Sequence, residues 1–454
     1  MTRLISAFRG DGLMARALRS IAWLGLRYGG TQGLRLASNL ILTRILFPEA
    51  FGLMALVAMV TTGLSLFSDI GLGPAISQNP RGDDPDFLDT AWAMQVVRGI
   101  GLWLATCLLA LPVAQFYGEP DLALYLPIAG FAIAINGLVP TKVQSAHRHL
   151  LLGRLTVLEL IAQAVGIAGM VLLAVYTRSV VALVIGGILQ ETARLFLMNL
   201  ALPGHRNRFR WNRELAAELI RFGKWIFLST GLWFITIQGD RLILGRFLSL
   251  ELLGLYNIGY FLASFPTLMG QSVAHGLMIP IYRDRPAHAS RENFRKQRLL
   301  RLALTGGVAA LSIVMALIGP ALVQFLYDDR YLTSGEIVTL MACAMVPATL
   351  SMTYDQAALA AGDSRSYFIY ALVRAATQTG LILTGISWYG LFGAIAAIGL
   401  THIATYPALV WLARRHRVWD PVADLCFAVP AGALCALALH LHWPKVAALI
   451  GVLS

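Results

Sequence analysis

Charge is what this 454-residue chain has little of: 13% of its residues are Asp, Glu, Lys or Arg, while 57% are hydrophobic. Soluble domains carry about 25% charged residues, so a deficit spread along the whole length excludes an ordinary soluble enzyme. Disorder is excluded for the opposite reason, because it needs low hydrophobicity and high charge. Cysteine is scarce too. Cys107, Cys343, Cys426 and Cys435 all lie in apolar runs without CxxC or Cys/His spacing, so neither a disulfide frame nor a zinc site is indicated. GxSxG, HExxH and Walker loops are missing, and no enzyme activity, catalytic residue or metal site is expected. What remains is a polytopic membrane protein with a mean hydropathy of +0.68.

Runs of about 20 mostly apolar residues mark membrane spans. They fall near 20–44, 51–77, 90–114, 122–142, 155–176, 180–202, 222–247, 255–282, 301–327, 336–361, 367–388 and 391–413, with a thirteenth near 421–441. Helices are required, since in lipid each backbone N–H needs a partner within its own segment, and period-2 strand patterns are absent. With the N-terminus inside, the inner segments hold 25 of the 36 basic residues and the outer segments five. That asymmetry supports both the parity of spans and a cytoplasmic N-terminus. One inner loop runs against it: 78–89 sets Arg81 against Asp83, Asp84, Asp86 and Asp89. Arg3, Arg9, Arg16 and Arg19 precede an apolar run too long for a cleavable signal. The net charge of +12 reads as this topology signal and attraction to anionic lipid, without a nucleic-acid partner.

The chain repeats itself. Shifted by 202 residues, Leu40-Ile41-Leu42-x-Arg44-x-Leu46-x-x-Glu49-x-x-Gly52-Leu53 becomes Leu242-Ile243-Leu244-x-Arg246-x-Leu248-x-x-Glu251-x-x-Gly254-Leu255. Arg19/Arg221, Trp23/Trp225, Leu26/Leu228 and Gly29/Gly231 also match, twelve identities in 35 residues without a gap. Both copies start on the inner side, so the repeat is parallel. The expected fold is an all-α polytopic membrane protein of two parallel-repeat six-helix lobes, twelve core transmembrane helices, plus one or two C-terminal helices. The N-lobe spans 1–202, a cytoplasmic linker 203–221, the C-lobe 222–417 and a hydrophobic tail 418–454.

Arg27, Arg35, Arg98, Arg194, Arg241 and Arg374 fall inside spans, as do Asp69, Glu159, Glu191, Asp240 and Asp355. Each such charge costs roughly 2.5–3.5 kcal/mol at mid-membrane, so each must pair or line a wet cavity. Arg27, Thr31, Arg35 and Ser38 share one helical face with no acid on it. Gln95 and Arg98 lie one turn apart, as do Arg374 and Gln378. Thr236 and Asp240 share a face, with Arg241 beside them. The reading is an electropositive substrate cavity of Arg27, Thr31, Arg35, Gln95, Arg98, Arg241, Arg374 and Gln378. Asp69, Asp240 and Asp355 are candidates for ion coupling by H+ or Na+. The competing reading is a set of interhelical salt bridges, and Glu191 with Arg194, one turn apart, is expected to be such a pair. Glu159, near an interface, is expected to snorkel. Tyr256, Tyr260, Ser264, Thr267, Gln271 and His275 form a stripe that suits sugar contacts and helix packing equally. Arg44 and Arg246 read as helix-end anchors.

Arg44-Ile45-Leu46-Phe47-Pro48-Glu49-Ala50-Phe51-Gly52-Leu53, Asp69-Ile70-Gly71-Leu72 and Ile76-Ser77-Gln78 resemble the start of the polysaccharide-exporter family. These are the O-antigen and colanic-acid flippases of the multidrug/oligosaccharidyl-lipid/polysaccharide exporter superfamily. Arg221-Phe222-Gly223-Lys224-Trp225, Gly254-Leu255-Tyr256-Asn257 and Pro280 resemble its second lobe, so the likeness covers roughly 15–415. It implies a V-shaped pair of lobes working by alternating access in the bacterial inner membrane. The implied substrate is an undecaprenyl-diphosphate-linked oligosaccharide, exported for exopolysaccharide, capsule or O-antigen (lipopolysaccharide) assembly. Arginines suit its diphosphate. The expected partners are this polyprenyl-diphosphate-linked glycan, membrane lipid, and polysaccharide polymerase and chain-length proteins, with a monomeric chain and no cofactor.

Two other functions fit the composition. A cation-coupled multidrug exporter of the same superfamily should have an acid-rich cavity, which the excess of intramembrane arginine disfavours. A non-transporting component of a glycan-assembly complex would not need arginines at mid-membrane. A polymerase or ligase needs large outward loops, and the outer loops here are short.

Overall fold

A computed structural model describes residues 13–68, 71–149 and 151–452, with side chains at 13–22, 24, 222–229 and 288 set aside. Asp69 lies outside the described residues. The described residues form helices and no strand. In chain order these are α1 (Leu13–Ile45), α2 (Pro48–Phe67), α3 (Leu72–Gln78), α4 (Pro85–Tyr117), α5 (Leu122–Gly137), α6 (Lys142–Arg148), α7 (Leu152–Thr177) and α8 (Val181–Ala201). Then follow α9 (Arg213–Phe247), α10 (Leu250–Asp284), α11 (Arg291–Leu326), α12 (Thr333–Met345), α13 (Ala348–Ala360), α14 (Ser364–Ala404), α15 (Tyr406–Arg415) and α16 (Pro421–Val446). Helices overlap all thirteen expected spans, with 51–77 falling on α2 and α3, 367–388 on α14, and 391–413 on α14 and α15. Among the described residues, eight helical stretches are long and apolar enough to cross a membrane, and ten are if each bent pair counts as one span.

Side-chain caps set several starts. Asp84 accepts from Asp86 N at α4, with Pro85 in the first turn. Ser249, Ser290, Asp363 and Asp420 accept at the starts of α10, α11, α14 and α16, which satisfies amide donors that no helix can bond internally. Breaks follow Pro and Gly. α5 and α6 meet at 61° where Pro140 intervenes, and α12 and α13 at 43° around Pro347. α14 kinks at Gly390, whose φ of 60° and ψ of −145° lie outside helical space; this kink separates the two spans expected there.

The chain divides into two compact units. Unit 1 comprises residues up to Leu46 plus Val57–Gly231, and unit 2 comprises Phe47–Leu56 plus Leu232–Ser454. The division differs from the expected lobes at Phe47–Leu56 and at 222–231, and for the first the repeat supplies a reason. A Cβ on Gly52 would stand 1.9 Å from the Leu250 carbonyl oxygen, and one on Gly254 would stand 1.9 Å from that of Pro48. These four positions are equivalent under the 202-residue shift. The two copies of the motif pack backbone to backbone, and only glycine permits that approach. At the same corner Phe51 packs edge-on against Tyr331, and Arg330 stacks over Phe47 at 4.8 Å.

In unit 1, the loops expected to lie inside meet one another. Arg148 Nε donates to Asp83 at 3.0 Å, and its Nη1 reaches the carbonyls of Ile76 and Asn79. His149 Nε2 lies 2.8 Å from Asp83, Arg210 pairs with Asp86 at 2.9 Å, and Arg81 pairs with Glu218. Buried Asp89 accepts from Arg208 N and faces His205 at 2.7 Å. The acids that opposed the positive count therefore neutralise bases from the neighbouring loops. His149 and then Arg148 hold the Asp83 carboxyl below its ordinary range. Exposed pairs of this kind contribute about 0–1 kcal/mol each, so their main effect is to fix loop positions.

Unit 2 includes the C-terminal tail. Phe427 and Ala431 of α16 pack with Ala309, Ile313 and Val346. Asp420, fully buried at its side chain, receives Arg298, and Arg301 Nη2 lies 3.7 Å away. Asp424 accepts the hydroxyls of Tyr354 (2.8 Å) and Tyr406 (2.7 Å). At the opposite end Leu391 N donates to Val452 O at 3.2 Å, which closes the chain end onto the Gly390 kink.

Candidate functional site

Arg27 stood among the cavity arginines without an acid on its own helix. In the structure Arg27 takes an acid from another helix. Its Nε lies 2.7 Å from Glu159 Oε2 on α7, a neighbour that helical spacing within α1 cannot reveal. Arg194 on α8 lies 3.6 Å from Glu159 and 3.5 Å from Glu191, and Asn136 donates to Glu191 at 2.8 Å. Two arginines and two glutamates thus make a neutral network across α1, α5, α7 and α8. The Glu191–Arg194 pair is present as expected, whereas Glu159, expected to snorkel, is the hub.

Gln95 also has partners within the protein. Its amide donates to the carbonyls of Asn136, Gly137 and Val139 at 3.1–3.2 Å. One turn away Trp92 Nε1 donates to Leu138 O at 3.2 Å. These carbonyls lie at the end of α5, before the bend at Pro140, where α4 side chains bond them; Asn136 O also accepts from Val139 N. Arg98 lies one turn further along. It donates from Nε to Ser68 Oγ at 3.0 Å and from Nη2 to the Ser65 carbonyl at 2.6 Å. Thr31 is half-buried and its carbonyl accepts from Gln163, while Arg35 on the same stripe is exposed.

Unit 2 gathers the remaining candidates on α9, α10, α13 and α14. Tyr256 donates to Asp240 at 2.5 Å. Arg241 stacks on Tyr260 at 4.4 Å, donates to Asn257 and Gln238, and stands 3.9 Å from Asp240. Tyr256 and Tyr260 therefore act as packing and positioning groups for a charge pair. Further along the stripe, Ser264 and Thr267 are buried and Gln271 and His275 exposed. Gln378 donates to the Thr236 carbonyl at 3.2 Å, bringing α14 against the turn of α9 that precedes Asp240.

Arg374, one turn from Gln378, has Asp355, Tyr367, Tyr370 and His402 in its electrostatic neighbourhood. Three atoms here are shielded from solvent and have no hydrogen-bond partner among the described residues: Arg374 Nε, Asp355 Oδ1 and His402 Nδ1. Unsatisfied buried groups cost about 1–3 kcal/mol each, so their concentration at one place marks a site held ready for something polar. Sequence reasoning found Arg374 and Asp355. It missed His402 and the two tyrosines, and the available signal was His402 standing inside an otherwise apolar span.

These features define a class: a polytopic, wholly helical membrane protein with the fold of solved lipid and drug transporters. The chain is similar to the lipid II flippase MurJ in its inward closed conformation, with a TM-score of 0.68, 10% identity, and coverage of 94% of this chain and 99% of that one. An inward-facing multidrug resistance MATE transporter of the MOP superfamily matches with a TM-score of 0.65, 13% identity, and coverage of 88% and 98%. At such identities the likeness concerns fold alone. A family model described as polysaccharide biosynthesis protein matches residues 41–336, and the chain belongs to that family. Among named relatives, the succinoglycan biosynthesis transport protein ExoT of Rhizobium meliloti is 24% identical over 404 residues, 87% of this chain and 80% of the relative. The teichuronic acid biosynthesis protein TuaB of Bacillus subtilis is 21% identical over 70% of this chain and 68% of its own length. The lipopolysaccharide biosynthesis protein WzxC of Escherichia coli is 21% identical over 55% and 51%.

Proposed function

We propose that this protein translocates an undecaprenyl-diphosphate-linked oligosaccharide across the cytoplasmic membrane by alternating access, with its N-terminus on the cytoplasmic side. Relatives named for succinoglycan transport and for teichuronic acid and lipopolysaccharide biosynthesis support the pathway. The observation that carries the reading is the Arg374 site, where a guanidinium inside a membrane span keeps a buried N–H open. A diphosphate oxygen is the natural acceptor for it, because guanidinium matches phosphate geometry and replaces lost hydration. Arg241, on α9, is engaged by Asn257, Gln238 and Asp240 and would contribute its charge rather than an open donor. Arg27, paired with Glu159, and Gln95, bonded to α5 carbonyls, take supporting roles, and Arg35 and Arg98 remain candidates in unit 1.

The same site suggests how an ion would couple. Asp355 stands within electrostatic reach of Arg374, with its Oδ1 unbonded among the described residues. An anion drawn to Arg374 would bring further negative charge beside Asp355 in an apolar span, which favours uptake of H+ or Na+ there. Asp240, already held by Tyr256 and Arg241, is the second candidate carrier.

Arg374→Ala tests this reading. Cells depending on the variant should accumulate lipid-linked glycan on the inner leaflet while the protein reaches the membrane at normal level. Arg374→Lys should restore export only in part. Full export by Arg374→Ala would refute the site, and restored efflux of cationic drugs without any glycan defect would favour the multidrug reading.

A further inference from the structure

At the basic end of unit 2, α15 ends in a Schellman turn. Val418 N donates to Ala413 O at 2.9 Å and Arg417 N to Arg414 O at 3.0 Å. The residue forced into left-handed backbone by such a turn is usually glycine. Here it is Arg417, with φ 54°. A non-glycine residue in left-handed backbone is uncommon, and here the surroundings of the side chain give it a use.

That side chain lines a cavity of about 370 Å³ together with Arg283, Arg415 and His416, against a wall that includes Tyr282 and Ala361. The acids at hand are few. Asp363 accepts Arg415 Nε at 2.9 Å and stands 3.5 Å from His416 Nε2, and Arg283 meets only its neighbour Asp284, at 3.2 Å. Arg415 engages Asp363 through Nε alone, which leaves its terminal amino groups open. Arg415 also lines a second, apolar groove of about 770 Å³ formed with Tyr406, Val410 and Trp411, where Arg414 stacks on Trp419 at 4.0 Å. A basic pocket joined to an aromatic-edged apolar groove, at the level where a span ends, matches a phosphate headgroup with its attached chain.

We propose that this corner is a binding site for an anionic phospholipid, with its phosphodiester among Arg283, Arg415 and Arg417 and its first methylenes along Trp411. The site lies apart from Arg374 and does not depend on the transport reading.

The test titrates the detergent-purified full chain with short-chain phosphatidylglycerol and phosphatidylcholine, and counts bound lipid by native mass spectrometry. Phosphatidylglycerol should bind at least ~10-fold more tightly, because both lipids carry the phosphodiester but the choline cation of phosphatidylcholine meets the same arginines with like charge. Arg417→Gly should lower that preference at least ~5-fold while the melting temperature holds or rises, because glycine relaxes the turn. Arg417→Asn, which also tolerates left-handed backbone, guards against a folding artefact. Arg178→Gly is the control, since Arg178 has φ 47° and lines neither cavity. Equal binding of the two lipids, or unchanged preference in both Arg417 variants, would overturn the proposal. So would displacement of phosphatidylglycerol by undecaprenyl phosphate at lower concentration, which would assign the corner to the glycan carrier. Equally tight binding of inorganic pyrophosphate would remove the apolar groove from it.

Discussion

Alanine at Gly52 or Gly254 probes the contact on which the repeat turns. The added Cβ would sit 1.9 Å from a backbone carbonyl oxygen of the facing helix, about 1.5 Å short of ordinary contact at 3.4 Å. Both obstacles are backbone, so no side-chain rotation relieves them, and α2 and α10 must separate. Overpacking a tight core costs about 1–3 kcal/mol. Because the separation also loosens the Phe51–Tyr331 contact, we expect each single variant to lose roughly 3 kcal/mol, about a hundredfold in the unfolding equilibrium. The assay is thermal unfolding of detergent-purified protein followed by fluorescence. Gly101→Ala and Gly306→Ala serve as references, since a Cβ at either meets nothing within 4 Å, and helix propensity should leave them level or slightly stabilised. One displacement opens both crowded sites, so Gly52→Ala/Gly254→Ala should cost clearly less than the two singles added. Gly52→Ala as stable as Gly101→Ala, or strict additivity in the double variant, would refute the backbone-contact argument.

Two further outcomes follow from the ion pairs. Arg27→Ala leaves the mostly buried Glu159 with Arg194 at 3.6 Å as its remaining cation; we expect a loss of about 1–3 kcal/mol, largely recovered in Arg27→Ala/Glu159→Gln, and a single variant with wild-type thermal stability would contradict the structural pairing. Asp363, at the start of α14, is lowered from 3.8 to about 2, first by the Ser366 backbone N–H and then by Arg415. A depressed carboxyl contributes stability that is complete above its unfolded value and vanishes as pH falls through the folded one. Asp363→Asn should therefore flatten the acid limb of a stability profile between about pH 4 and pH 2, and an unaltered limb would show that Asp363 does not set it.

Much of the candidate site was legible, because a charge inside an apolar run is conspicuous in any sequence: Arg241, Arg374, Asp240 and Asp355 all announce themselves that way. Their partners were not. Glu159 reaches Arg27 from a different helix, and Gln95 bonds carbonyls at the end of α5 beside the bend at Pro140, 45 residues away. Helical periodicity orders residues along one axis and carries no information about which face of another helix will meet them.

Sequence alone determined that this chain enters a membrane, where its spans lie, and that it contains two parallel halves. Those properties depend on hydrocarbon thickness, on the cost of an unbonded N–H in lipid and on repeated letters, none of which needs a partner segment. Tertiary structure decided which arginines are neutralised and which keep open hydrogen-bonding positions, and it alone showed the two repeated glycines backing onto each other. The reason is that a buried charge is silenced or left active by what stands within a few ångströms of it, and only packing settles that distance.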